Sequence, residues 1–318
     1  MRFDRHLMIG CAAALALTFA TAPAKAASQY PGHDKVVAAI KSDQADAIER
    51  LRAWIALPTI ANMGVNTPQG AEYMRQLALD AGFQHAKVVE SGGVPGVFAT
   101  LDAGAKHTLA IYFMYDVKHY DPAEWSSPPL EGKIVERPGE GQALVGRGAV
   151  NQKGPQMAFL TALHAFKDAG VKLPVNLVLV AEGEEEIGST NFPTLLADPE
   201  IKAALQRSVG VMMPSTGQAR DGSMSLDLGA KGVIEVQLIS SGDKWGRGPA
   251  KDVHSSLMAR VDSPAWHLVK ALDTLVADDG FTPTVDGWFE NVRPLTPREK
   301  ELLAASLPKD EEAVKKVL

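Results

Sequence analysis

The sequence predicts an α/β fold, a mostly parallel sheet with helices on both faces, followed by a second, smaller α/β domain. Three observations carry that prediction. Strand-like runs alternate with helix-period segments through residues 34–213. One of the runs, residues 175–181, is apolar without interruption apart from Asn176, as a strand buried on both faces is. Directly after it stand Glu182, Glu184, Glu185 and Glu186, and ligands in open α/β sheets gather beyond the C-terminal strand ends.

Taken in order, the chain opens as export machinery. Arg2 and Arg5 make a basic start, residues 7–19 are mostly apolar, and Ala24-Lys25-Ala26 is a small-x-small cleavage site. Residues 1–26 therefore read as a signal peptide, with the mature protein starting at Ala27 in a bacterial periplasm. The apolar stretch is too short to span a bilayer, so no membrane part is expected after cleavage. Cys11 is the only cysteine, and Met8 is a poor residue for a lipoprotein signal. Cleavage leaves no cysteine for a disulfide, a nucleophile or a metal.

Residues 34–57 place Val36, Ile40, Ala47, Ile48, Leu51 and Trp54 at helical spacing, ended by Pro58. A second helix is predicted over 71–81, stopped by Gly82. Strands follow at 85–90, 97–101 and 108–113, then a helix at 156–169 and strands at 175–181 and 208–213. Met212 and Met213 end the last of these and read as core packing. This layout puts Asp116, the 182–186 carboxylates and Pro214-Ser215 at strand ends. The main domain spans 27–229. Beyond it, 232–240 alternates as a strand, Ser263-Pro264 opens a capped helix, and Thr296-Pro297 starts another. The pattern is still helical at Leu318, which reads as a domain, 230–318, cut short. The net charge of −6 and the lack of a basic block exclude a nucleic-acid footprint.

Four segments together carry a resemblance: Phe113-Met-Tyr-Asp-Val117, Trp125-Ser-Ser-Pro-Pro129, Gly146-Arg-Gly-Ala-Val-Asn-Gln-Lys-Gly154 and Glu182-Gly-Glu-Glu-Glu-Ile-Gly-Ser189. Their order and spacing resemble the di-zinc peptidases and amidohydrolases that include carnosinase-type dipeptidases, glutamate carboxypeptidase, acetylornithine deacetylase and succinyl-diaminopimelate desuccinylase. The Trp-Ser-Ser-Pro-Pro segment is most similar to the dipeptidase branch. The resemblance implies zinc, or another divalent metal, activating a water for attack on an amide carbonyl. It implies that Glu185 is the general base, Glu186 a metal ligand, and Asp116 the carboxylate that orients a first ligand. It also implies that 230–318 is a lid and dimerisation domain, so that a homodimer forms through it, with His254 reaching the partner's active site. The substrate implied is a peptide or an N-acyl amino acid.

The sequence departs from the family at three ligand positions. Met114 stands for a histidine, Asn151 for the bridging aspartate and Ser215 for another aspartate, and thioether, amide and hydroxyl groups bind zinc weakly. The family's last histidine ligand and a substrate-holding arginine belong to a C-terminal part that these residues do not include. Two functions stay open: a secreted hydrolase of peptide or other amide bonds with an altered metal site and Glu185 as base, or a catalytically inactive relative that binds peptides or amino-acid derivatives. A dimer scaffold is a third. Taken alone, Asp116 reads as a turn cap, Gly146-Arg147-Gly148 as a turn, His119 as a surface histidine and His254 as a loop histidine. Lys118, Lys153 and Lys231 read as solvated lysines before they read as replacements for positive charge lost with the metal.

Overall fold

The computed structural model describes residues 30–215, 224, 226, 227, 229, 232, 233, 236–244 and 246–315. Residues 1–26, expected to be a signal peptide and including Cys11, and Lys231 lie outside the described residues. The chain divides into two compact units, Met1–Leu226 and Asp227–Leu318.

In the first unit, the helical periodicity of residues 34–57 forms two helices, α1 (His33–Ser42) and α2 (Gln44–Ile55), with a break at Asp43. α3 (Thr67–Asp80) starts earlier than its apolar pattern, because Pro68 in the first turn has its φ already set for a helix. Strands β1 (His85–Val89), β2 (Gly96–Leu101) and β3 (Thr108–Met114) follow. Next comes a hairpin of β4 (Lys133–Arg137) and β5 (Gly141–Val145). α4 (Gly154–Asp168), β6 (Asn176–Glu182), α5 (Phe192–Ala197), α6 (Pro199–Gln206) and β7 (Ser208–Met212) complete the unit. α6 is capped by Asp198, whose side chain accepts from the backbone N–H of Glu200 and Ile201 at 2.9 and 3.1 Å.

The central sheet runs β1-β2-β6-β3-β7. β6, β3 and β7 are mutually parallel, while β1 and β2 are antiparallel additions at one edge. β6 explains the layering. Leu177, Leu179 and Ala181 join the larger core beneath α3 and α4 with Trp54, Met74 and Leu160. Val178 and Val180 point the other way, onto Leu195 and Ile201 of α5 and α6. A strand whose alternate residues feed two cores must be apolar throughout, and a helix layer therefore covers each face. β7 departs from the expected packing. It lies at the sheet edge, and Met212 and Met213 are 37% and 60% exposed, because no neighbouring element among the described residues covers them.

In the second unit, α7 (Pro264–Asp273) and α8 (Pro297–Lys315) form where Ser263-Pro264 and Thr296-Pro297 predict helices. The predicted strand at 232–240 is not formed in its described residues, where no second strand pairs with it and a lone strand would leave its backbone groups unbonded. Unlike the first unit, this one has no buried apolar side chain among its described residues. No helix among the described residues is long and apolar enough to cross a membrane.

Candidate active site

The site is assembled by the parallel pair β3 and β6. Their register sets Met114 opposite Glu182, so both strands end together and their following loops leave from one place. The Tyr115 N–H donates to the Glu182 carbonyl at 2.9 Å and carries the pairing one residue past β3. Tyr115 then buries its ring against Gly183, where a Cβ would sit 2.5 Å from the ring. Glycine is required there because the aromatic face comes against bare backbone. The Tyr115 hydroxyl donates to the Pro95 carbonyl and pins the ring.

Asp116 is 1% exposed, and its two carboxylate oxygens accept from the N–H of Glu185 at 3.3 Å and of Glu186 at 3.0 Å. It holds the short helical turn Glu185–Ile187 from below. Burial pushes the Asp116 carboxyl up to about 7, against the pull of the Glu186 N–H.

The four strand-end glutamates have four different environments. Glu182 accepts from the Tyr112 hydroxyl at 2.6 Å and the Ser189 hydroxyl at 2.9 Å, and burial raises its pKa. Glu184 is buried and structural: it accepts from Val94 N–H and from the Asn191 backbone and side-chain amides, each at 3.0 Å. Glu186, its side chain 7% exposed, accepts from Asn151 Nδ2 at 2.6 Å and faces Lys118 Nζ at 3.6 Å. Glu185 alone is exposed, and its carboxylate has no hydrogen-bond partner among the described residues. Its pKa is raised by partial burial and then by the Glu186 charge, with Lys118 opposing.

The other predicted positions fall as follows. Met114 is buried at 2% exposure at the end of β3, where a thioether packs without loss. Asn151 and Ser215 are exposed and adjoin through Gln152, whose Nε2 donates to Ser215 Oγ at 3.1 Å. Gly148, at φ +83°, makes the turn that presents Asn151, since a side chain is strained at that angle. Lys153 is not solvated. It is 1% exposed, donates to the carbonyls of Trp54 and Leu57 at 2.8 and 2.9 Å, and burial takes its pKa down to about 7. Two carbonyls at the end of α2 thus find their donor in the Lys153 amine. Lys118 stays exposed but pairs with Glu186. His119 is exposed and stacks on Tyr120. Arg147, in the predicted turn, lies over the Trp125 and Tyr120 rings at 5.0 and 5.9 Å and so ties two of the motif loops together. His254 belongs to the second unit, where its Nδ1 accepts from Ser256 N–H at 3.1 Å.

The donor set does not fit a zinc pair. No group of three or more His, Cys, Asp or Glu side chains that could hold a metal ion occurs among the described residues. Glu186, the carboxylate that the resemblance places as a ligand, already shares an oxygen with the Asn151 amide. The roles of Glu184, Asn191 and Lys153 were not foreseen from the sequence. Only the position of Lys153 beside Gly154, in a motif, singled it out.

Comparisons with known proteins agree with this layout. The chain is 28% identical over 278 residues to a Cys-Gly metallodipeptidase, DUG1, of Candida albicans, covering 80% of this chain and 54% of that protein. It is 26% identical over 275 residues to human Beta-Ala-His dipeptidase, covering 82% and 49%. Among solved structures, the M20 family metallo-carboxypeptidase Sso-CP2 from Sulfolobus solfataricus matches with a TM-score of 0.65 at 27% identity, covering 84% of this chain and 59% of that one. The chain thus spans about half the length of the curated relatives it matches. Residues 110–304, which take in most of β3, all of β6 and every strand-end carboxylate described above, match the profile of peptidase family M20/M25/M40, and the chain belongs to that family.

Proposed function

We propose that this chain belongs to a secreted hydrolase of peptide or N-acyl amino-acid bonds that works through an altered metal site, with Glu185 as general base. One observation carries the reading: of four glutamates at the strand ends, only Glu185 presents a carboxylate with no protein partner to a solvent-reached surface. Its backbone is fixed by Asp116, so the base is placed while its side chain stays available. In the reaction, Glu185 takes a proton from water as the oxygen attacks the amide carbonyl, then delivers it to the leaving amine. Lys118 Nζ and the Asn151 amide, both beside Glu186, are the donors at hand for the developing oxyanion.

The test is a screen of dipeptides and N-acyl amino acids with the full-length mature protein, wild type against Glu185→Ala. Loss of the base is expected to lower turnover by roughly 100- to 10,000-fold. Equal turnover in the two proteins removes Glu185 from the mechanism. The engagement of Glu186 by Asn151 and Lys118 favours a second reading, a peptide binder without turnover. Saturable peptide binding with no hydrolysis by either protein would establish that reading instead.

Two further parts of the proposal concern context. The basic, apolar and Ala24-Lys25-Ala26 pattern supports export to a periplasm, and N-terminal sequencing of the exported protein is expected to begin at Ala27. The exposed apolar side chains of the second unit, Trp266, Phe281, Trp288 and Phe289 among them, support a role for it in homodimer formation.

A further inference from the structure

Position 151 does more than lose a ligand. A carboxylate there, against the carboxylate of Glu186, is tolerable only with a cation between the two or with one of them protonated. An amide reverses the sign of the contact. Asn151 Nδ2 donates to Glu186 Oε1 at 2.6 Å, and Lys118 Nζ stands 3.6 Å from the other oxygen, Oε2. Both oxygens that a metal would need are therefore faced by protein donors, and a side chain only 7% exposed keeps its charge compensated without an ion. Ser215 has a partner too, Gln152 Nε2 at 3.1 Å. Met114, buried in the strand end, presents a neutral thioether.

We propose that Asn151 and Lys118 replace the family's metal as the partners of Glu186, so that the site keeps its shape with no metal bound. Towards Glu186 both act as positioning partners that fix its carboxylate, beside the donor role the hydrolase reading gives them. The inference deepens the hydrolase reading and rests on it only for what happens to turnover.

The experiment uses the full-length mature protein, dialysed against zinc, analysed for bound metal, and melted with zinc or with EDTA. Wild type is expected to retain substoichiometric zinc and to show the same melting temperature in both. Asn151→Asp is expected to melt lower in EDTA, from the restored repulsion, and to be rescued by zinc. Stoichiometric zinc in wild type, or a wild-type melting temperature that rises with zinc, overturns the proposal. An Asn151→Asp protein that melts as wild type does in EDTA overturns it too. Asn151 is exposed, so the substitution leaves the core intact, and the wild-type zinc measurement decides the question by itself should the variant not be obtained. Turnover separates the two claims. Activity abolished by EDTA sinks the metal-free site and keeps the hydrolase, whereas no turnover at all sinks the hydrolase and leaves the zinc result standing.

Discussion

Burial moves the ionisation of Lys153 and Asp116 in opposite directions, and the consequences fall in separate pH windows. Lys153 has an ordinary value of 10.5 and about 7 in the folded protein. Between those values the unfolded chain holds a proton that the folded one does not, so stability rises with pH across the window and is flat below it. Asp116 has an ordinary value of 3.8 and about 7 when folded. There the folded chain holds the extra proton, so stability falls as pH rises from 3.8 to 7 and is flat above. The two contributions meet in a minimum near neutrality. Lys153→Met keeps the packed stem against Trp54 but removes the titration, at the cost of leaving the Trp54 and Leu57 carbonyls short of a donor at every pH. Urea midpoints measured from pH 7 to 10 are expected to rise in wild type and to lose most of that slope in the variant. Parallel slopes in the two proteins would show that Lys153 does not titrate there.

At the scale of elements, the junction of β3 and β6 is the part of the fold that positions the site, and Gly183 is where it is least tolerant. A methyl group there meets the Tyr115 ring at 2.5 Å, and the ring is pinned by its hydroxyl on Pro95. Overpacking of this kind costs about 1–3 kcal/mol. Gly183→Ala is therefore expected to lower the urea midpoint, while Gly210→Ala in β7, where nothing lies within 4 Å, leaves it nearly unchanged. Equal effects would mean that the ring moves aside freely. β6 was legible in the sequence because burial on both faces demands an unbroken apolar run, and α4 because its stripe keeps one period. The hairpin β4–β5 was not, since Lys133, Glu136 and Arg137 are exposed and leave no apolar alternation to read. The break at Asp43 escaped because the apolar spacing continues through it. Met212 and Met213 look like core in composition, yet at an edge strand that no element covers among the described residues they stay in solvent. In the site, the motif loops bring Asp116, Asn151 and Glu186 together at one strand-end region. The resemblance names Glu185 over Glu184, but the run of glutamates by itself does not, because which carboxylate turns inward depends on Asn191 and Val94, donors that lie outside the run.

The two units differ most in how they treat apolar surface. The first buries Trp54 at 1% exposure within a continuous core, whereas the second leaves Trp266 at 61%, Trp288 at 55% and Phe281 at 86% exposed. Soluble monomers seldom keep many large apolar side chains in water, so surfaces of this sort are normally covered by another chain or by more of their own. If homodimer formation covers them, sedimentation of the full-length protein should show a dimer, and acrylamide should quench Trp266 and Trp288 little more than it quenches Trp54. Substituting Trp266 and Trp288 by serine should then shift the sedimenting species to monomer without changing the metal content, since neither residue lies in the unit that holds the carboxylates. A monomer whose second-unit tryptophans quench freely would exclude the dimer, and the lid reading of residues 230–318 would then have to stand on substrate binding alone.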